Sequence, residues 1–416
     1  MKSLKSSLIR LYLQFKKLSK RTRVVGIRFV MFRKRFFKIL KGQLITILAI
    51  LHFAVHFFLR TFKSRVTQQQ SPCKLAIIVP KDFSLVTPNF NGGTKDIQSM
   101  LEQMCDLGIV FEVFPVPRKT THALHSIFRQ RSKFSSSSRI LLSIPGSSGL
   151  LFLYLKILGF SHLTFRSHNA ELLHRLEWIR SSKSIGEILK SIKKMFFGFL
   201  SDFLVSIFAS NILSVSQKEI DIYWSFLFPW STGKVRFFPG ASPSHIRGGY
   251  LSKQKNNRER AYATIVGGFE EGTLISKADQ TFIEHGPKIK NYFNSMNLLL
   301  VSVGNKINFD FCDLNYGYVH DYVEILVNSE IVIVPSSAGW GFKTKIADAV
   351  TLHQSVVVSD TLYNRLGIWS QMVSPVKDWA DISSLKLRVF SAKDYQVFLE
   401  EISHLRRNIL LELFME

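Results

Sequence analysis

The chain has 416 residues, 46% apolar and 20% charged, with 55 Lys and Arg against 30 Asp and Glu. That length suggests two or three domains, and the composition allows a buried core and excludes a disordered chain. Seventeen of the cations fall in residues 1–65, where no acid stands, so the sequence pI of about 10 is largely a property of the N-terminus and gives a nucleic-acid reading of the body little weight. Cys73, Cys105 and Cys312 are few, odd in number and far apart, which suggests neither a disulfide framework nor a zinc site. The chain also lacks an Asp-x-Asp pair, a phosphate-binding P-loop and a Gly-x-Ser-x-Gly elbow. Metal-clamped transferases, P-loop NTPases and α/β-hydrolases are disfavoured accordingly.

Residues 1–70 read as a membrane-associating segment and linker. Phe29, Phe32, Phe36 and Leu40 recur at helical spacing, with Lys34, Lys38 and Lys41 on another face, the pattern of a helix in a bilayer interface. Seventeen residues without a charge follow, from Gln43 to Leu59, at the lower limit for a span. The apolar stretch starts too late for a secretory leader. A span and an in-plane helix both remain open, and a polar run over 67–72 reads as the linker.

From residue 71 to 250 the pattern is α/β. A β-rich run over 75–79 ends at Pro80 and leads through Asn91, Gly92 and Gly93 to a helix whose apolar face is Ile97, Met100, Leu101, Met104 and Leu107. A strand over 110–116 completes a βαβ unit, which favours a parallel sheet. Further strands are expected at 140–144, 163–166, 212–215 and 235–238, with a buried helix over 195–208. A polar break at 248–260 starts a second α/β region, 251–385, with strands at 264–266, 298–303, 331–334 and 356–359 and a helix from about 343 to 352. The last segment, 386–416, carries Val397, Phe398, Ile402, Leu405, Ile409, Leu410 and Leu413 on one helical stripe, which is expected to return to the first domain. Two doubly wound domains place a ligand in the cleft between them, where strand ends and helix N-termini favour phosphate.

Two segments carry chemistry. Arg166, Ser167, His168, Asn169 and Glu171 follow a strand; an Arg there can bind an anion bidentately and a His can donate to a sugar hydroxyl or phosphate. The same residues also serve as a helix start, with Ser167 or Asn169 capping. In the second region Gly339, Gly341, Lys343, Lys345 and Asp348 run from a strand end into a helix. Glycines admit a close ligand, and cations at a helix start oppose its dipole and so call for an anion. Asp348 lies on roughly the face of Lys345, in reach of ribose hydroxyls. A solvated basic first turn is the plainer alternative.

At these residues the chain resembles the retaining glycosyltransferases of the GT-B fold, in the large family 4 group. Their Arg-x-His-Asn-x-Glu segment is similar to Arg166 to Glu171, and their Gly-x-Gly-x-Lys-x-Lys-x-x-Glu-Ala segment to Gly339 to Ala349. Gly92 and Gly93, Ser214 and Ser216, Gly267 and Gly268, and Gly317 to Asp321 resemble further family loops in the same order. The resemblance implies two Rossmann-like domains with an interdomain cleft. It further implies sugar transfer from a nucleotide-sugar donor to a glycan or lipid-linked acceptor, with retention and without a metal or other cofactor. His168 and Lys345 would be the catalytic residues. Gly92, Gly93, Arg166, Asn169, Gly267, Gly268, Gly339, Gly341, Lys343 and Asp348 would bind the donor. The family's ribose-binding Glu is Asp348 here, and its Gly-x-Pro turn is His353, Gln354 and Ser355. The expected setting is a membrane surface with cytoplasmic catalytic domains, and no nucleic acid. The alternative is an inactive relative serving as a scaffold in polysaccharide assembly.

Overall fold

The computed structural model describes residues 75–83, 92–130, 139–144, 148–168, 185–246, 261–267, 277–305, 308–317, 322–335 and 343–415, with isolated positions at 172, 173, 176, 179 and 319. The expected membrane segment lies outside them. Among the described residues no helix is long and apolar enough to cross a membrane. All of them belong to one compact unit, Val66–Glu416.

The protein is α/β, built on two parallel six-stranded sheets. The first comprises β1 (Leu75–Pro80), β2 (Phe111–Val116), β3 (Arg139–Leu142), β4 (His162–Ser167), β5 (Asn211–Ser214) and β6 (Val235–Phe237), in the order β2-β1-β3-β4-β5-β6. Every residue of β1 is buried, as its unbroken apolar run requires of a central parallel strand covered on both faces. The second comprises β7 (Ala261–Val266), β8 (Leu298–Val303), β9 (Leu314–Asn315), β10 (Ser329–Val334), β11 (Ser355–Ser359) and β12 (Val373–Val376), in the order β12-β11-β10-β7-β8-β9.

Both orders reverse direction once. The first does so between β1 and β3, and the second between β7 and β10. Crossovers leave such a pair on opposite faces of the sheet, opening a crevice at the strands' carboxyl ends. Ser143 follows β3, Gly267 follows β7 and Pro335 follows β10. The topology alone therefore selects the two places where a ligand would lie.

Three helices matter to the site. The first, α1 (Gly92–Asp106), begins on the glycine pair, which is its first turn and not the loop expected from sequence. Its face of Ile97, Met100, Leu101 and Met104 is buried against β1. The second, α2 (Thr344–Thr351), buries Ile346, Ala347, Ala349 and Val350. The third, α3 (Ala392–Phe414), opens with a reciprocal capping box between Ser391 and Asp394. Its Tyr395, Phe398 and Ile402 join the core of the second sheet, whereas Ile409 and Leu410 join that of the first. One stripe thus seals two cores.

Candidate functional site

Two adjacent residues of α1, Lys95 and Asp96, organise the crevice, and neither stands out in the sequence. Asp96 turns into the first sheet. Its carboxylate receives the Arg166 guanidinium in two parallel bonds, Nε to Oδ2 at 2.7 Å and NH2 to Oδ1 at 2.9 Å. Arg166 NH1 donates to the Phe238 carbonyl at 2.7 Å, and the guanidinium lies 4.7 Å over the Phe238 ring. Arg406 of α3 lies 4.5 Å over the same ring and brings NH1 within 3.9 Å of Asp96 Oδ1. Burial alone would raise the Asp96 carboxyl, but Arg166, by charge and hydrogen bond, then His168 and Arg406, hold it below the ordinary carboxylate value.

This corrects the expectation for Arg166. Its side chain is 0% exposed, and its bidentate anion is Asp96 rather than a donor phosphate. Four of the five N–H groups of this guanidinium are engaged inside the core, which leaves little to offer a ligand. His168, directly beyond β4, remains at the crevice. Its Nε2 pairs with Ser143 Oγ at 2.9 Å, at the switch point of the first sheet, and its Nδ1 stands 3.6 Å from Asp96 Oδ2. Burial pushes its pKa down to about 4; Asp96 opposes that shift and Arg166 adds to it. The imidazole is therefore neutral at physiological pH, with one donor and one acceptor nitrogen.

Lys95 turns the other way, toward the second sheet. Its ammonium meets Asp348 Oδ2 of α2 at 2.8 Å and the Tyr322 hydroxyl at 2.6 Å. Tyr322 also donates to Asp348 Oδ2, and Ser242 donates to Oδ1 at 2.6 Å. Asp348 is wholly buried. The Lys95–Asp96 pair of α1 thus joins the two sequence segments singled out above, one on each side.

Lys345 is half-buried one turn before Asp348, and among the described residues it makes no hydrogen bond or ion pair. Burial, then the charges of Lys343 and Lys95, push its ammonium down to about 8, against the pull of Asp348. Lys343 occupies the N-cap of α2 and gives no side-chain cap. Lys343 and Lys345 therefore stand together at a helix N-terminus, with Lys95 behind them already paired to Asp348, which is a field suited to an anion.

Gly267 sits in a tight packing contact. A Cβ there would stand 1.4 Å from Asn305 Oδ1, so the space beside this backbone is filled by a buried Asn305 that donates to Ser302 Oγ at 2.8 Å. Gly92 and Gly93 open α1. Asn169, Gly268, Gly339 and Gly341 lie outside the described residues. Among the described residues no group of three or more His, Cys, Asp or Glu side chains is placed to hold a metal ion.

Sequence reasoning missed Lys95, Asp96, Ser242 and Tyr322. The one available signal was the Lys-Asp pair at helical positions, separated from the glycines by Thr94 alone. An isolated ion-pair partner carries no motif, and its role depends on partners 70 and 253 residues away.

No family model matches this chain, and no curated protein matches it. Solved structures similar to it include Anabaena HepE in complex with UDP and glucose, at 12% identity, covering 82% of this chain and 96% of that one, with a TM-score of 0.42. The α,α-trehalose 6-phosphate synthase of Burkholderia multivorans has 9% identity, coverages of 83% and 96%, and a TM-score of 0.49. The UDP-GlcNAc 2-epimerase of Neisseria meningitidis bound to UDP-GlcNAc has 10% identity, coverages of 83% and 100%, and a TM-score of 0.46. The sheet orders and the lysine cluster stand independently of these likenesses.

Proposed function

We propose that the protein is a glycosyltransferase of the GT-B type, transferring a sugar from a nucleotide-sugar to a glycan or lipid-linked acceptor at a membrane surface. The observation that carries this reading is that Lys343 and Lys345 stand together at the start of α2, beside the switch point of the second sheet. A diphosphate suits that field. Lys345 takes the leaving phosphate, and the helix N-terminus and the glycine loop share its charge. Lys343 supports the same charge from the N-cap.

In the transfer step the bond between the sugar's anomeric carbon and the β-phosphate oxygen breaks, and a bond from the acceptor oxygen forms. The acceptor proton passes to the departing diphosphate, so no metal is required by the balance of charge. By resemblance the anomeric configuration is retained. His168, neutral and next to the first crevice, exchanges Ser143 for a hydroxyl of the donor sugar. Residues 1–70 supply the membrane attachment, and the catalytic domains lie on the cytoplasmic side.

The test is incubation of the full chain with a panel of UDP-, GDP- and ADP-sugars, following release of the nucleoside diphosphate. Release from one donor, lost in Lys345→Ala, supports transfer. Binding of a donor without release supports the scaffold alternative, and absence of binding by every donor refutes both.

A further inference from the structure

Asp348 occupies the position where the resembled family would put a ribose-binding carboxylate, yet its surroundings give it other work. A carboxylate offers about four lone-pair sites. Ser242 takes one on Oδ1, and Lys95 and Tyr322 take both on Oδ2. A ribose diol needs two acceptors, and a single site remains on a side chain with no exposed surface.

Displacing the present partners would also strand Lys95. Its side chain is 2% exposed, with Tyr322 as a second neighbour whose ring centroid lies 4.2 Å from the ammonium. A buried cation stripped of its anion is strongly disfavoured, whereas the pair with its extra hydrogen bonds is satisfied. The four residues come from α1, the segment after β6, the residue preceding the short helix Val323–Val327, and α2. Together they fasten a helix of the first sheet to a helix of the second. A second fastening lies at Lys218, which donates to the Asn364 carbonyl at 2.6 Å, and at Ser216, which donates to the Arg365 carbonyl at 3.3 Å.

We propose that Lys95, Ser242 and Tyr322 hold Asp348 as a fixed tie between the two sheets, so that Asp348 does not read the ribose hydroxyls of the nucleotide. The part concerning ribose rests on the nucleotide reading above; the tie itself does not. Asp in place of Glu fits this role, because the shorter side chain keeps its carboxylate back among the three partners.

The ribose part is tested by calorimetry on the full chain, comparing UDP, GDP and ADP with their 2′-deoxy forms in the wild type and in Asp348→Asn. The expected affinity ratio for the nucleotide that binds is within about threefold of unity in both proteins. A ribose preference that survives in Asp348→Asn also agrees, since it places ribose recognition elsewhere. A preference of about tenfold or more that Asp348→Asn abolishes overturns the proposal.

If no nucleotide binds, the functional reading fails and the tie is judged by amide hydrogen exchange. Lys95→Met should raise exchange at least about tenfold in both Gly92–Asp106 and Thr344–Thr351, while the central strands of both sheets stay protected. Ser242→Ala keeps the ion pair and should give the same pattern at lower amplitude, which serves if Lys95→Met does not fold. Unchanged exchange in either helix overturns the tie.

Discussion

Replacing Asp96 by Asn tests the frame on which the crevice is built. The carboxylate is 3% exposed and faces two guanidinium groups, Arg166 in a bidentate bond and Arg406 at 3.9 Å. The amide keeps the shape but removes the negative charge that these two guanidinium groups share, and it turns one acceptor into a donor pointed at a cation. Breaking a buried pair by losing one partner costs about 3–5 kcal/mol. Retained bonds from Arg166 to the Phe238 and Leu213 carbonyls offset part of this, so the lower end of that range is expected. At about 2–4 °C per kcal/mol for a domain of this size, the midpoint of thermal unfolding should fall by roughly 6–12 °C. Differential scanning calorimetry at pH 7 is the assay. Asp96→Leu combined with Arg166→Met and Arg406→Met should recover much of the loss, because an apolar cluster of similar volume needs no counter-ion, whereas Arg166→Met alone in the Asp96→Leu background leaves Arg406 buried without its anion. A fall of less than about 2 °C in Asp96→Asn would refute the buried-charge reasoning.

Three further outcomes follow from the same geometry. His168 has a folded-state pKa of about 4 against an ordinary 6.5, so the unfolded chain binds more protons between those values. Its stabilisation is complete above pH 6.5 and is lost as the pH falls toward 4, amounting to about 3 kcal/mol over the window. Urea titrations from pH 7 to 4.5 should show that slope in the wild type and a shallower one in His168→Gln; equal slopes would exclude His168 as the cause. Gly267→Ala drives a methyl into Asn305 and should cost about 1–3 kcal/mol, with much of it recovered by adding Asn305→Ala; no recovery would show that the glycine serves something else. Gly149→Ala places its Cβ 2.5 Å from the Ser201 carbonyl oxygen, a backbone atom that cannot turn aside, and should destabilise by a similar amount in chemical denaturation. An unchanged midpoint there would contradict the close packing of the helix Ser148–Ile157 on the helix Ile185–Phe208.

Strand positions were readable where apolar runs were continuous. The run over 298–303 matches β8, and the run over 75–79 falls one residue short of β1. The edge strands of the second sheet were harder, although those of the first, β2 and β6, were expected. Nothing periodic marks β9, two exposed residues held by β8, or β12, whose Pro375 disguises it. The helical stripe of α3 was visible, because six of the seven apolar residues share one face; the seventh, Val397, is exposed. The start of α1 was not, since a glycine pair reads as a loop until a helix is seen to form over it. In the site, residue types at helix starts were legible and their partners were not. Arg166 announces an anion, yet whether that anion is a ligand or Asp96 is decided by packing across 70 residues of chain. Asp348 shows the same limit, for its carboxylate is engaged by residues from three distant segments.

The central claim is that a nucleotide diphosphate binds at the start of α2 through Lys345. Calorimetric titration of nucleoside diphosphates into the full chain, the Lys345→Ala variant and the Lys343→Ala variant tests it most directly. Loss of a charge-assisted bond at Lys345 should cost about 1.5–3 kcal/mol, or roughly ten- to a hundredfold in affinity, with a smaller loss for Lys343. Because the free Lys345 ammonium titrates at about 8 and a bound anion raises that value, wild-type affinity should also fall as the pH rises past 8. Equal small losses in the two variants, with affinity flat from pH 7 to 9, would place the phosphate elsewhere and contradict the account.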